Sequence, residues 1–186
     1  MQLSEQRQPG RVRIIGGTWR GTKLNVPDIE QLRPTPDRIR ETLFNWLQNV
    51  ISGAICLDLF AGSGALGFEA ASRGAARVVM IEQNRQLAER LQRQADALHT
   101  DIVEIVQADA LQWLENARPG FDLVFLDPPF GAGLLARVLP LLARKLLLRR
   151  GGLIYVESET GLVIDPCGFE IKKQKRAGQV QYMLLQ

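Results

Sequence analysis

The alternation of short apolar runs with helical patterns constrains the fold of this chain more than any other feature. The run Phe121–Leu126 is short, rich in branched and aromatic residues, and preceded by a Pro119-Gly120 turn. Such a run is typical of a buried strand in a parallel sheet. Comparable strands alternate with helices along the chain, which predicts right-handed crossovers and a doubly wound α/β sheet. The predicted strands cover residues 54–59, 77–82, 102–107, 121–127, 152–158, 168–175 and 179–185, and the predicted helices cover 36–50, 64–73, 84–98, 110–116 and 132–147.

The N-terminal part is predicted to be an extension, residues 1–50, in front of a main domain at 51–186. Glycine pairs and single glycines mark the turns of a β-hairpin over residues 12–26. In the helix that follows, Thr35 is the expected N-cap and Pro36 the expected first residue.

The strand at 121–127 delivers Asp127-Pro128-Pro129-Phe130 to the carboxyl edge of the sheet, where open α/β sheets bind their ligands. A carboxylate and proline-flanked carbonyls only accept hydrogen bonds, and Phe130 offers a flat stacking surface. These groups suit a planar ligand that carries an NH₂ group, such as a nucleobase with an exocyclic amine. Taken alone, the same four residues are equally compatible with a rigid exit from a strand.

A second strand ends in a glycine-rich turn, which invites comparison with a dinucleotide site. Gly62, Gly64 and Gly67 fit the pattern G-x-G-x-x-G, and Glu82 lies twenty positions beyond Gly62. Asp58, however, precedes the glycines, where its carboxylate would repel a pyrophosphate but would suit a cofactor with a cationic end. No hydride-transfer site is evident, because the only histidine falls in a polar connection. These observations favour S-adenosylmethionine over a nicotinamide cofactor.

Together these motifs resemble the class I S-adenosylmethionine-dependent methyltransferases that use an (Asp/Asn)-Pro-Pro-(Tyr/Phe) motif to act on amines. Two further segments, RIIGGTWRGTKL at 13–24 and RPTPDRIRETLFNWL at 33–47, are similar to the RsmD family in particular. The resemblance runs from about Val12 to the C-terminus. That bacterial family methylates the exocyclic N2 of a guanine in small-subunit ribosomal RNA. The resemblance therefore implies this activity, S-adenosylmethionine as cofactor, and a Rossmann-like, mostly parallel seven-stranded sheet in the order 3-2-1-4-5-7-6 with an antiparallel last strand.

The resemblance also implies roles for the residues of the acceptor loop. Asp127 and the Pro128 carbonyl would accept hydrogen bonds from the target amine, Pro129 would complete the loop, and Phe130 would stack on the base. Glu157 and Glu159 either border this pocket or simply leave the fifth strand, and the second interpretation is favoured.

On the cofactor side, the resemblance places Asp58 near the amino-acid end of the cofactor and Glu82 at the ribose hydroxyls. Asp109 would accept from the adenine amine, although it could equally be the N-cap of the next helix. The remaining predicted cofactor residues are Phe60, Gly62, Gly64 and Ala110.

Charge is distributed unevenly along the chain. Residues 53–130 contain 6 Lys or Arg and 11 Asp or Glu, a balance of −5, so the flanks must carry +8 to give the net charge of +3. Basic flanks beside an acceptor-lined pocket favour RNA binding, although a solvated charged face is the common explanation of any single cluster. The predicted RNA-binding residues are Arg11, Arg13, Trp19, Arg20, Lys23 and Arg38, and a second cluster comprises Lys172, Lys173, Lys175 and Arg176.

The two cysteines, Cys56 and Cys167, form no C-x-x-C pair, which argues against a zinc site or a disulfide framework. We expect a cytoplasmic protein with no metal and no membrane segment, because no apolar run approaches the roughly 20 residues that span a bilayer. The expected partner is ribosomal RNA in a small-subunit assembly particle, and the expected state is a monomer.

Several other functions share part of this pattern. A DNA adenine-N6 or cytosine-N4 methyltransferase has both motifs but usually carries a further domain that reads duplex DNA. A protein-amide methyltransferase fits the acceptor motif but not the basic flanks. A carbon-5 cytosine methyltransferase would need a cysteine in the substrate loop. A non-catalytic RNA-binding assembly factor on the same fold is the remaining alternative, which the acids at 58, 82 and 127 disfavour.

Overall fold

The computed structural model describes residues 12–24 and 35–186 of the chain. Two short strands form an antiparallel N-terminal pair: β1 (Val12–Arg13) and β2 (Lys23–Leu24). The main sheet contains β3 (Ile55–Asp58), β4 (Arg77–Glu82), β5 (Val103–Gln107), β6 (Phe121–Leu126), β7 (Leu148–Glu159), β8 (Ile171–Ala177) and β9 (Val180–Leu185). The helices are α1 (Asp37–Trp46), α2 (Ala65–Ser72), α3 (Arg85–Ala97), α4 (Ala110–Asn116) and α5 (Leu135–Lys145).

The seven strands of the main sheet lie in the order β5-β4-β3-β6-β7-β9-β8. Numbered within this sheet, that is 3-2-1-4-5-7-6, and β9 alone runs antiparallel to both of its neighbours. The predicted fold class is therefore confirmed. Within the described residues, each helix is too short or too polar to cross a bilayer.

Helices cover both faces of the sheet, because its central strands are apolar on both sides. On the first face, α1, α2 and α3 pack over side chains such as Cys56, Leu123 and Phe125. On the second face, α4 and α5 pack over the alternate side chains, among them Leu57 and Val124. Helix α1 precedes the main sheet in the chain and adds a further helix to this layer, with Phe44 packed against Phe125 and Trp46 against Tyr182.

The ends of several elements differ from the prediction. The predicted helix at 36–50 ends at Trp46, and the predicted helix at 132–147 begins only at Leu135. Gly131 and Gly133 have positive φ angles, which explains the late start of α5. Strand β7 begins at Leu148, four residues before the predicted start. The hairpin strands end at Leu24, and the last two residues of the predicted hairpin lie outside the described residues.

The prediction that Thr35 caps α1 is wrong. Pro36 occupies the N-cap position, and no side chain caps the helix. The hydroxyl of Thr35 instead donates to Asp127 Oδ2 at 2.9 Å. A contact with a residue 92 positions away has therefore replaced the local cap.

The hairpin is fixed to α2 by a buried carboxylate. Glu69 accepts hydrogen bonds from the backbone N–H groups of Ile15 at 2.7 Å and Gly16 at 2.8 Å. Arg73 and the fully buried Arg40 form ion pairs with the same carboxylate. Each hydrogen bond to this charge is stronger than one between neutral groups, so the hairpin is held in one position on α2.

The turn of the hairpin approaches α2 too closely for a side chain. Gly17 has a φ of 76°, and a Cβ atom there would lie 1.8 Å from the carbonyl oxygen of Ser72. The hydroxyl of Ser72 also donates to Gly16 O and accepts from the backbone N–H of Trp19. Glycine at position 17 is therefore required for this docking.

Candidate active site

Four acidic residues reach the same edge of the main sheet because their strands run parallel. Asp58 and Glu82 are the last residues of β3 and β4, Asp127 follows β6, and Glu157 lies near the end of β7. The structure therefore brings together acids that are separated by as many as 99 positions in the sequence, from 58 to 157.

Strand register and side-chain alternation place three of these acids on the first face of the sheet. Asp58 pairs with Phe125 across β3 and β6, and Leu126 pairs with Val156 across β6 and β7. The next pair in that register is Asp127 beside Glu157. Because alternate residues share a face, both acids lie on the side of Phe125 and Tyr155, beneath the N-terminal end of α1.

Asp127 is half-buried and accepts the hydrogen bond from Thr35 described above. Burial raises the pKa of its carboxyl to about 6, against the opposing effect of that hydrogen bond. At neutral pH it is therefore mainly an anion with one oxygen bound to Thr35.

Glu157 is more deeply buried, with 4% of its surface exposed. The hydroxyl of Tyr155 donates to its Oε2 at 2.8 Å. Burial raises the pKa of Glu157 to about 8, and the charge of Asp127 adds to the shift. The favoured interpretation of Glu157 as a polar strand exit is therefore wrong. Glu157 lies two residues after Tyr155, on the side of β7 that faces the core, and this spacing could have corrected the prediction.

Asp58 is almost completely buried and accepts from the backbone N–H of Gly67 at 3.0 Å. Burial raises the pKa of Asp58 to about 7, and the nearby charge of Asp127 contributes. Among the described residues, Asp58, Asp127 and Glu157 take part in none of the ion pairs. Within residues 12–24 and 35–186, the edge of the sheet thus concentrates buried carboxyls that form no ion pair with a basic side chain.

The glycine-rich turn lies beside these acids and is held by Glu82. Gly62 donates its N–H to Glu82 Oε2 at 2.8 Å, and Asn84 donates its N–H to the other carboxylate oxygen at 2.7 Å. Gly62 and Gly64 adopt positive φ angles of 51° and 79°. A carboxylate has about four acceptor sites, so Glu82 retains the capacity to accept from a ligand hydroxyl. Phe60, in the same turn, is half-buried.

Asp109 and Ala110 follow β5 at the same edge of the sheet. Asp109 accepts from the backbone N–H of Gln112 at 2.9 Å and is the N-cap of α4, so the capping interpretation is confirmed. Its contact with adenine stays a prediction. Ala110 is the first residue of α4 and is buried.

The loop after Asp127 has a buried beginning and an open end. Pro128 is buried, Pro129 is exposed, and Phe130 has 48% of its surface exposed. An aromatic ring of this kind, next to the acidic edge, is accessible to a planar ligand.

The predicted RNA-binding residues differ in exposure and in whether they form ion pairs. Arg20, Lys23 and Arg38 are exposed, whereas Trp19 is half-buried against the core of the first face. Arg13 is exposed but forms an ion pair with Asp37 at 3.2 Å. Arg11 lies outside the described residues.

The C-terminal basic cluster on β8 also splits, and a register shift between Ile171 and Lys173 interrupts the regular alternation at Lys172. Lys173 and Lys175 reach the ring of Trp46 on α1, with Nζ 5.8 and 6.0 Å from its centroid. These two lysines therefore lie on the same face as α1, whereas Lys172 pairs with Glu170.

A cleft of about 500 Å³ between α4 and α5 contains none of the predicted site residues. Its walls include Leu111, Glu115, Arg137 and Pro140. It lies on the second face of the sheet, away from the acids.

Comparison with known proteins identifies the family. The model of a family described as conserved hypothetical protein 95 matches residues 12–186. Ribosomal RNA small subunit methyltransferase D of Escherichia coli K12 is 48% identical over 179 residues, which cover 95% of this chain and 90% of that protein. The solved structure of yhhF from Escherichia coli has a TM-score of 0.87 and 47% identity, and the match covers 95% of this chain and 98% of that one.

A more distant structure shares the fold alone. It is an RNA methyltransferase from Salinibacter ruber in complex with S-adenosyl-L-homocysteine, with 19% identity, a TM-score of 0.63, and coverage of 82% of this chain and 92% of that one. The family model and the Escherichia coli relative together show that this chain belongs to the family of the ribosomal RNA small subunit methyltransferases D.

Proposed function

We propose that this protein transfers a methyl group from S-adenosylmethionine to the exocyclic N2 of a guanine in small-subunit ribosomal RNA. The relatives are named as methyltransferases of that RNA. We infer an exocyclic amine from the position of Asp127. This hydrogen-bond acceptor lies directly after β6 and is followed by the buried Pro128 and the exposed ring of Phe130.

The residues at the edge of the sheet fit the cofactor. S-adenosylmethionine bears a sulfonium and an ammonium group, and the buried carboxyl of Asp58 has no cationic partner among the described residues. Glu82 has acceptor capacity for ribose hydroxyls, and the turn at Gly62 lets a ligand approach the backbone closely. Phe60, Gly64, Asp109 and Ala110 are the further residues that we propose to line this site.

The chemistry asked of the protein is mainly positioning, because the sulfonium already activates the methyl group. Guanine N2 is a weak nucleophile whose lone pair is shared with the ring. Asp127 and the Pro128 carbonyl would accept from its N–H groups and turn the lone pair toward the methyl carbon. In the transfer, a nitrogen–carbon bond would form as the carbon–sulfur bond breaks with its electrons left on sulfur, and N2 would release one proton to Asp127 or to water. Orientation of this kind supplies up to about 7–11 kcal/mol of a barrier.

We further propose a division of the chain between RNA and cofactor. Residues 1–50 would contact RNA, and residues 51–186 would hold the cofactor. Arg20, Lys23 and Arg38 are exposed on the N-terminal part, which supports this division. We place the protein in the cytoplasm, acting as a monomer on an assembling small-subunit particle.

Binding of S-adenosylhomocysteine should depend on the ionisation of Asp58. With a pKa of about 7, this carboxyl is neutral below neutral pH and charged above it, so affinity for the ammonium-bearing ligand should rise between pH 6 and 8. Asp58→Asn should weaken binding about 10- to 100-fold, in line with about 1.5–3 kcal/mol for a hydrogen bond to a charged group, and should flatten the pH dependence. Isothermal calorimetry measures both effects, with Asp101→Asn as a control on an exposed acid at the opposite end of the sheet. Wild-type affinity in the Asp58 variant would exclude this assignment.

Methyl transfer should depend on Asp127 far more than cofactor binding does. Asp127→Ala removes an acceptor whose contact with the amine strengthens in the transition state, so kcat should fall at least about 100-fold, equivalent to about 2.7 kcal/mol. Cofactor affinity should stay within a few-fold. Phe130→Ala should cost about 1–3 kcal/mol of stacking. The assay is transfer of a labelled methyl group to small-subunit RNA, and undiminished turnover without the Asp127 carboxylate would disprove its role.

The exposed charges of the N-terminal part should control RNA affinity without affecting the cofactor. The triple variant Arg20→Gln, Lys23→Gln and Arg38→Gln should lower the slope of log affinity against log salt by about 0.7–0.9 for each phosphate that the protein no longer neutralises. Arg13 is left intact because it pairs with Asp37.

The matched control removes the same charge elsewhere, with Arg93→Gln on α3, Arg137→Gln on α5 and Arg150→Gln on β7, three exposed arginines that take part in none of the ion pairs among the described residues. Filter binding over a salt series compares the two variants with the wild type. If both triple variants show the same decrease in affinity, only net charge matters and the N-terminal surface is not the RNA-binding site.

A further inference from the structure

We propose that Lys173 and Lys175, on the edge strand β8, bind backbone phosphates of the same ribosomal RNA a few nucleotides away from the target base. The inference rests on the proposed methyl transfer at Asp127, and it adds a second RNA-binding surface to the one proposed on the N-terminal part. The two lysines, with the ring of Trp46 beside them, are termed the β8 surface.

Strand register places the β8 surface in line with the acceptor carboxylate. Lys175 pairs with Tyr182 on β9, and Tyr182 pairs with Glu157 on β7. Asp127 lies beside Glu157 in the register of β6 and β7 described above. One cross-strand row thus joins Asp127 to Lys175 over three strand spacings, or about 14 Å. A nucleic acid duplex carries one phosphate per about 3.4 Å of each strand, so this distance spans a few nucleotides.

Both lysines lie on the face of the sheet that carries the acceptor site. Lys173 pairs with Leu184 and Lys175 with Tyr182, and both partners belong to the core of the first face. Directly paired residues of adjacent strands share a face. Helix α1 packs on that same face, so an RNA strand that follows α1 meets the β8 surface and the acceptor loop without crossing the edge of the sheet.

The ring of Trp46 holds the two lysines in place. Trp46 is half-buried and packs on Tyr182, with 5.5 Å between the ring centroids. The Nζ atoms of Lys173 and Lys175 lie 5.8 and 6.0 Å from the centroid of Trp46, which is within the range of cation–π contacts. A lysine that is already held loses less side-chain entropy on binding, and its ammonium group still has N–H donors for a phosphate.

The positive charge of β8 is not balanced by nearby acids. The strand, Ile171–Ala177, contains four basic residues and no acidic one, and the adjacent β9 carries no charge. Lys172 pairs with Glu170. Within residues 12–24 and 35–186, Lys173 and Lys175 are exposed and take part in no ion pair. The β8 surface is therefore complementary to a polyanion, and the proposed substrate supplies one at this distance from Asp127.

Lysines on an edge strand have a second explanation, because positive charge there discourages pairing with another sheet. That role does not depend on the face of the strand. RNA binding, in contrast, requires Lys173 and Lys175 specifically. Arg176 pairs with Gln181 and alternates with Lys175, so it lies on the second face, and the charge of Lys172 is already paired.

Two double variants of the same strand separate these explanations. Lys173→Gln with Lys175→Gln removes the β8 surface, whereas Lys172→Gln with Arg176→Gln removes the same charge from the other positions of β8. Filter binding of small-subunit RNA over a salt series measures the affinity of each variant. If each lysine neutralises one phosphate, the first variant should bind about 10- to 30-fold more weakly at about 0.15 M salt, with a salt slope lower by about 1.4–1.8. The second variant should keep the wild-type slope, and both should bind S-adenosylhomocysteine like the wild type.

Lysine acetylation followed by mass spectrometry locates the contact in the unaltered protein. RNA should slow the modification of Lys173 and Lys175 and leave unchanged that of Lys145, which pairs with Glu115 on the second face. Equal modification of Lys173 and Lys175 with and without RNA overturns the inference, as does an equal loss of affinity in the two double variants or no loss in the first. These results in an enzyme that methylates small-subunit RNA would leave the proposed function standing. A wild type that transfers no methyl group to that RNA would refute the proposed function instead.

Discussion

The candidate site depends on how the central strands of the parallel sheet pair with one another. Strands β3, β6 and β7 are hydrogen-bonded neighbours, so their carboxyl ends fall at one edge and their alternate side chains fall on one face. Asp58, Asp127 and Glu157 are carried together as a result. Burying an ionised carboxylate costs several kcal/mol, and a neighbouring carboxylate increases that cost. The clustered acids therefore disfavour folding. A cationic cofactor and an amine substrate explain why hydrogen-bond acceptors are nevertheless concentrated at this edge of the sheet.

The N-terminal segment links this edge to the surface that we propose for RNA. Glu69 on α2 fixes the hairpin through backbone N–H groups, and Arg40 on α1 joins the same carboxylate. Arg40 also donates to the backbone carbonyl of Arg13 at 2.9 Å, so a direct hydrogen bond joins α1 to the hairpin. Thr35, just before α1, reaches Asp127. The elements that would bind RNA are therefore tied to the acceptor carboxylate by direct contacts.

The sequence predicted the parts of this arrangement that depend on local pattern. Apolar strand runs, the glycine turn and the acids at strand ends located Asp58, Glu82 and Asp127 at one edge, and the strand order follows from the family resemblance. Contacts across the fold were not predictable in the same way. The place of Thr35 before a predicted helix indicated an N-cap, yet its hydroxyl donates a hydrogen bond to a residue 92 positions away.

The position of Glu157 beside Asp127 could not be predicted from the local sequence pattern. A polar residue near the end of a strand is common, and only the pairing of β6 with β7 reveals that this one lies beside Asp127. Glu69 and Arg40 are similar cases. Each looks like an ordinary charged position on a helix, but their partners on the hairpin lie 53 and 27 positions away. Their burial is a consequence of how α1 and the hairpin dock, which periodicity does not specify.

The central claim is that a guanine N2 in small-subunit ribosomal RNA is the acceptor, and mapping of modified nucleosides tests it most directly. Small-subunit RNA from cells that lack this protein would be digested and compared by mass spectrometry with RNA from the parent strain. We predict that one N2-methylguanosine is missing from the deletion strain and returns when the gene is restored. An unchanged set of N2-methylguanosines, with a methylated adenine or cytosine missing in its place, would contradict this claim.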